Sequence, residues 1–285
     1  MNSKDISNIV IPAFPLPKER PYSWRALWIL CALQIFGNLI SIPLLKATNV
    51  SSGSISHWVL YSAISIIFIG IALVLAQKSG LGAPLLEGLI KKGDIYPWIY
   101  KISALSLFIA ILTCVPILLL NLKANPNEIP AIWKLILASV DAGIQEEIFY
   151  RFFLMTLVVW LGGHMWQDKN GYPSKSVIHA AIILSALIFA WAHIDDKIAN
   201  PALNASPAAY FWVLLVNTLI GITLGLLYWK QGLECAILTH FLIDAIGIGI
   251  VVPVYQTSNL GVQIILFVAL FLTGFGSWRI LKQIR

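Results

Sequence analysis

Glu146 and Glu147 stand side by side in the run Gln145-Glu146-Glu147-Ile148-Phe149-Tyr150-Arg151, inside a segment that otherwise reads as membrane-spanning. An ionisable side chain in hydrocarbon costs roughly 2.5–3.5 kcal/mol on insertion scales, so three close together need a compensating arrangement. Glu147 and Arg151 are spaced i, i+4, on one face of a helix, and can neutralise each other. Glu146 points about 100° away from Glu147 around the same helix and lacks that partner. An unpaired carboxylate in a protected site is a candidate general base. A buried ion pair that only ties helices together is the plainer reading of Glu147 and Arg151 alone. The second glutamate, and the histidines further along, outweigh it.

Those histidines lie in two other apolar segments. Phe189-Ala190-Trp191-Ala192-His193 closes one, followed by Asp195 and Asp196, and His240-Phe241-Leu242-Ile243-Asp244 lies in another. His240 and Asp244 share a helix face. Charges inside a membrane bundle face each other or a water-filled cavity, so Glu146, Glu147, His193, His240 and Asp244 are expected to converge. Two chemistries suit the set. In one, Glu146, His193 and His240 hold Zn2+ or another divalent metal with water in the open position, and Asp244 orients a ligand histidine. In the other, no metal takes part. Glu146 and His193 hold and deprotonate a water, while His240 and Asp244 line the place where an oxyanion develops. Both end in hydrolysis of a peptide bond within or beside the bilayer. Tyr150, one turn from Glu146, is placed to hydrogen-bond it. Asp141, about a turn before Glu146, is a weaker candidate for the cavity lining.

The elements that must position these groups are apolar helices. The 285 residues are 59% hydrophobic and 11% charged, far from the ~25% charged of soluble domains. The expected fold is all-α: a polytopic membrane helix bundle of about eight transmembrane helices, with residues 24–285 forming a single bundle. Eight stretches approach the ~20 residues that cross a bilayer, at about 24–45, 57–76, 98–121, 131–158, 176–194, 207–229, 232–252 and 262–280. Residues 1–23, with Pro12, Pro15, Pro17 and Pro21, read as a cytosolic tail rather than a cleavable signal. The segment Lys78 to Pro97 is expected to hold a short interfacial helix.

Of the 19 Lys and Arg residues, fourteen fall on the side of the N-terminus, four on the opposite side, and Arg151 within a helix. This split predicts both termini in the cytoplasm. The net charge of +6 is spread over short loops, so it reads as membrane orientation and not as a nucleic-acid partner. Cys31, Cys114 and Cys235 have no metal-binding or disulfide spacing. Gly221 and Gly225 form a GxxxG, and Asn38 and Asn217 are expected to hydrogen-bond between helices. On these boundaries Glu146 lies roughly 22 Å from the outer start of its span, whereas His193 closes its own span at the outer side. The two then stand at different depths, unless the fourth span starts later than Ala131, the helices tilt, or the site is a cavity reaching one face.

The ordered set Glu146-Glu147-x-x-x-Arg151, Phe189-x-x-x-His193 and His240-x-x-x-Asp244, on three apolar segments within 131–250, resembles the CPBP family. That family contains the CAAX prenyl endopeptidases of the Rce1 type and bacterial Abi or bacteriocin-processing proteins. The resemblance implies an eight-helix bundle and an intramembrane endopeptidase. It implies water activation by Glu146 with His193, a site completed by His240 and Asp244, and supporting roles for Glu147, Arg151, Phe189 and Tyr150. The expected partners are a membrane-embedded or lipidated peptide and the lipid bilayer. The expected location is multi-pass in a bacterial inner (plasma) membrane. Phe152 stands where many members have glycine, and Asp244 stands where prenyl-processing members tend to have asparagine. A proton-coupled transporter relaying through Glu146, Asp141 and His240 is the alternative from another class. It would call for duplicated, broken helices, and the sequence shows no such duplication. A non-catalytic membrane regulator or immunity protein is the third reading.

Overall fold

The computed structural model describes residues 23–47, 55–90, 95–121, 129–194 and 206–283. The proline-rich segment 1–22, and Asp195 and Asp196, lie outside them. The described residues form nine helices and no strand: α1 (Trp24–Ala47), α2 (Ile55–Ser79), α3 (Pro84–Ile90), α4 (Tyr96–Asn121), α5 (Ile132–Met165), α6 (Lys175–Ala192), α7 (Pro207–Gln231), α8 (Leu233–Thr257) and α9 (Leu260–Gln283). Seven of them, α2 and α4 to α9, are long and apolar enough to cross a membrane, and α1 is apolar over Trp24–Ile40. The protein is a multi-pass integral membrane protein built as an all-α bundle. The short α3 falls within the segment expected to hold an interfacial helix.

Helices α5 and α8 are central. α5 packs against α1, α2, α6 and α8, and α8 packs against α4, α5 and α7. More than half of the α8 span, 56%, is buried inside the protein, against 11% for α9, which packs mainly on α4, touches the end of α8 and otherwise faces outward. Two apolar clusters flank the centre. One gathers Ile69, Ile148, Phe152, Met155 and Ile182 from α2, α5 and α6, and the other gathers Ile117, Phe189, Leu224 and Ile243 from α4, α6, α7 and α8. The charged residues of α5 and α8 lie at the seam between them.

α5 is longer than its apolar stretch suggested, reaching Met165 rather than about residue 158. The turn that follows is tight. Asp168 Oδ1 accepts from the backbone N–H groups of Asn170 and Tyr172, and Gly171 takes a positive φ of 78°. Ser174 then caps α6 through the Val177 N–H. α5 and α6 are thus the arms of one hairpin. Glu146 lies about 19 residues before its end, and His193 about 18 residues after α6 begins, roughly 28 Å along each arm. The expected difference in depth disappears, because it was measured from the far end of α5, which overshoots its neighbour.

Both central helices widen where the acidic residues sit. The helical bonds change from α to π over Glu147–Met155 in α5 and over Ile243–Val251 in α8. Such i→i+5 turns are rare and insert extra residues into a helix without breaking it. Phe152 is fully buried in the first of these wide turns, among Ile148, Met155 and Val159, so a large ring replaces the glycine of the resembled pattern without opening the packing.

The pair α6 and α7 packs closely. A Cβ on Gly221 would lie 2.9 Å from Ala186 Cα, and one on Gly225 would lie 3.0 Å from Ile182 Cγ2. The GxxxG therefore joins two helices of the same chain. Asn38 donates from Nδ2 to Ser62 Oγ at 2.7 Å, linking α1 to α2 as expected. Asn217 departs from expectation: its Nδ2 donates to Val213 O within α7, at 2.8 Å. A polar side chain in an apolar helix can satisfy itself on its own preceding turn, and a sequence does not reveal which partner it takes.

Candidate active site

Glu146 is the last residue of the α-helical half of α5 and Glu147 the first of the π turn. The two carboxylates diverge. Glu147 is fully buried, and its Oε1 lies 3.1 Å from Arg151 Nη1 and 2.8 Å from His240 Nδ1. Arg151 is equally buried. It gives Nη2–H to the carbonyl of Gly221 at 3.2 Å, and its guanidinium lies 4.4 Å from the centre of the Phe189 ring. The pair read from its spacing is therefore a three-helix joint. α5 supplies the charges, α7 a carbonyl, and α8 the histidine.

Glu146 turns the other way, toward a cavity of about 350 Å³ whose walls include Ser65 and Phe68 of α2, Tyr150 of α5 and His193 at the end of α6. His193 Nε2 lies 3.5 Å from Glu146 Oε2, and His240 Nε2 lies 3.9 Å from the same oxygen. That oxygen is buried and makes no hydrogen bond to the protein. Asp244 Oδ2 stands 3.6 Å from His240 Nε2. Glu146, His193, His240 and Asp244 are thus brought together from α5, α6 and α8, with Glu147 behind them holding His240.

The ring orientations follow from what each Nδ1 touches. His193 Nδ1 is 2.8 Å from the carbonyl oxygen of Phe189, one turn earlier in its own helix. A carbonyl only accepts, so Nδ1 carries a proton, and Nε2 is the atom turned toward Glu146. His240 Nδ1 is anchored to the Glu147 carboxylate in the same way. Phe189 serves both rings. Its own ring lies 4.4 Å from His193 and 5.8 Å from His240, centre to centre, and 5.3 Å from Tyr150, edge-on. Tyr150 thus lines the cavity and props Phe189. Asp141, the weaker candidate, lies toward α1. It accepts a hydrogen bond from Gln145 Nε2, and its Oδ1 would be 3.4 Å from a Cβ on Gly37.

The fit of a divalent metal can be judged from the same donors. Glu146 Oε2, His193 Nε2 and His240 Nε2 converge. In a tetrahedral site with bonds of 2.0–2.2 Å, ligand atoms stand about 3.4 Å apart. The His193 separation meets that figure and the 3.9 Å separation of His240 exceeds it. Among the described residues no group of three or more His, Cys, Asp or Glu side chains is set to hold a metal ion. The three donors frame a space beside Glu146 without forming a finished metal cage.

Some contributors carry no signal in the sequence. Ser65 and Phe68 belong to an ordinary apolar span, and the carbonyl of Gly221 is backbone. The carbonyl of Phe189 could have been found, because the i, i+4 spacing from Phe189 to His193 lets a histidine at a helix end bond back to its own last turn.

No curated protein and no solved structure matches this chain. A family-level match covers α5 to the first half of α8, the helices that supply every charged group described above. Residues 128–246 match the model of the Rce1-like family, described as type II CAAX prenyl endopeptidase Rce1-like.

Proposed function

We propose that this protein is an intramembrane endopeptidase that hydrolyses a peptide bond of a membrane-embedded or lipid-modified protein or peptide, using a water activated by Glu146 and His193. The observation that carries the reading is the buried, unbonded Oε2 of Glu146, faced by the Nε2 atoms of two histidines whose other nitrogens are fixed. A water placed there gives one hydrogen to Glu146 Oε2 and the other to the Nε2 lone pair of His193.

The steps follow from these contacts. Glu146 takes a proton as the water oxygen bonds to the peptide carbonyl carbon. The carbonyl oxygen becomes the oxyanion. His240, doubly protonated, gives Nδ1–H to Glu147 and has Nε2–H left for that oxyanion, with Asp244 steadying the ring. The carbon–nitrogen bond then breaks, and Glu146 returns its proton to the leaving amine. The products are a carboxylic acid and an amine, and one water is consumed. If a divalent ion were bound, Glu146, His193 and His240 would hold it, and it would acidify its water and polarise the carbonyl. The scheme above does not require it.

The test is cleavage in liposomes of farnesylated and unmodified peptides, comparing wild type with Glu146→Gln and His193→Ala. General-base loss predicts a fall of about 10²–10⁴ in kcat for either variant. Equal processing by all three proteins would remove the peptidase reading. Chelation by EDTA or 1,10-phenanthroline separates the two chemistries. Activity that survives supports water activation by Glu146 and His193 without a metal, and activity lost and restored by Zn2+ supports the metal.

A further inference from the structure

The cavity beside Glu146 has a wall that the chemistry does not use. Phe68 of α2 forms it with Phe149 of α5, their ring centres 5.4 Å apart. Phe68 is also stacked on Phe153 at 4.3 Å, which holds its ring in place. The flanks of the mouth are Ile64 of α2 and Ala192 of α6, both exposed. On the same outer surfaces Ile67 is 59% and Trp191 72% exposed. Two apolar spans that bear such residues face lipid, so the mouth opens sideways into the bilayer between α2 and the end of α6.

The volume, about 350 Å³, sits at the low end of the ~300–1,000 Å³ typical of ligand sites. It holds one peptide unit at Glu146 and a single side chain beyond. The rings and Ile64 offer no partner to a charged group, which would lose its hydration on entry. An aliphatic or aromatic side chain keeps its favourable burial there.

Resting on the peptidase reading above, we infer that Phe68 is a specificity-determining residue: it closes a lateral subsite that takes one apolar substrate side chain beside the scissile bond and sets the size admitted. Phe68 lies outside residues 128–246, so the selecting wall and the hydrolytic groups belong to different parts of the chain.

The test uses quenched fluorescent peptides anchored in liposomes by a farnesyl group or an apolar helix, varied at the position next to the cleaved bond through Ala, Val, Leu, Phe and Trp. Wild type and Glu146→Gln come first. If wild type shows no Glu146-dependent cleavage of any peptide, the peptidase reading falls and takes this inference with it. With that cleavage in hand, Phe68→Ala is expected to shift kcat/KM toward Phe and Trp over Val by about tenfold or more, the scale of a pocket that gains several carbons. Phe68→Trp is expected to shift it the opposite way while the Ala peptide is retained. Ile64→Trp, at the exposed mouth, keeps the test open if a Phe68 variant does not fold, and it too should penalise the large side chains. A size profile within twofold of wild type in the folded variants would overturn the inference.

Discussion

His240 donates its Nδ1–H to Glu147 Oε1 at 2.8 Å, joining α8 to α5 through a carboxylate that never reaches the cavity. The histidine ring faces Glu146 because Glu147 holds its back. Removing that hold should act on turnover more than on substrate binding. Glu147→Gln is expected to lower kcat about 10–100-fold, the usual effect of losing an orienting partner, with KM little changed. Steady-state kinetics in liposomes check this, and an unchanged kcat would place His240 under other control.

Arg151 is fully buried, and its charge is met by Glu147. Breaking one side of such a pair costs about 3–5 kcal/mol, whereas replacing both sides with apolar residues is often neutral. Glu147→Leu alone should therefore lower the unfolding midpoint in detergent steeply. The double variant Glu147→Leu with Arg151→Leu should regain most of that stability and remain inactive, since His240 has lost its hold. A double-mutant cycle on thermal unfolding measures the coupling.

Close helix contacts should be sensitive to a single methyl. Gly221→Ala would set its Cβ 2.9 Å from Ala186 Cα and is expected to destabilise by about 1–3 kcal/mol. Gly143→Ala would press 3.1 Å from the Phe241 backbone nitrogen, where α5 meets α8 one residue from His240. It should lower kcat beyond what its unfolding midpoint suggests, because it separates Glu146 from His240. Gly276→Ala, with nothing within 4 Å, is the control and should be silent in both measurements.

The α7–α8 turn is clamped to α3. Glu234 Oε1 accepts from the Leu86 N–H at 2.8 Å, and Leu233 N–H donates to Gly82 O at 3.0 Å. Gly232, at φ 93°, leaves room for Pro84 Cδ where a side chain would begin. Glu234→Gln retains an acceptor for Leu86 and should be mild. Glu234→Leu leaves that N–H bare and should cost about 1–3 kcal/mol. Faster proteolysis between Gly82 and Ile90 would report the loosened helix.

Much of this site was legible because membrane helices announce their charges. The apolar spans set a background on which Glu146, Glu147, Arg151, His193, His240 and Asp244 stood out, and their convergence followed from the cost of charge in lipid. Spacing along one helix revealed the Glu147–Arg151 pair. It was silent about His240 as the second partner of Glu147, because that contact joins residues from different helices. The level of Glu146 against His193 was misjudged for a related reason: hydropathy marks what is apolar, not how far a helix runs on into a turn such as 166–174. The Phe68 wall had no signal, since an aromatic ring in an apolar span is ordinary until a neighbouring cavity gives it meaning.

The wide turns beginning at Glu147 and spanning Ile243–Val251 make helix length part of the chemistry. Each carries surplus chain relative to a regular helix. Removing one residue from either stretch would let it close to a regular turn and rotate the residues within it against those that flank it. Glu147 and Arg151 would then turn relative to Glu146, or Asp244 relative to His240, with every side chain of the site still present. For these two helices the count of residues matters as much as their identity, and a deletion far from any charged group can be as damaging as losing one.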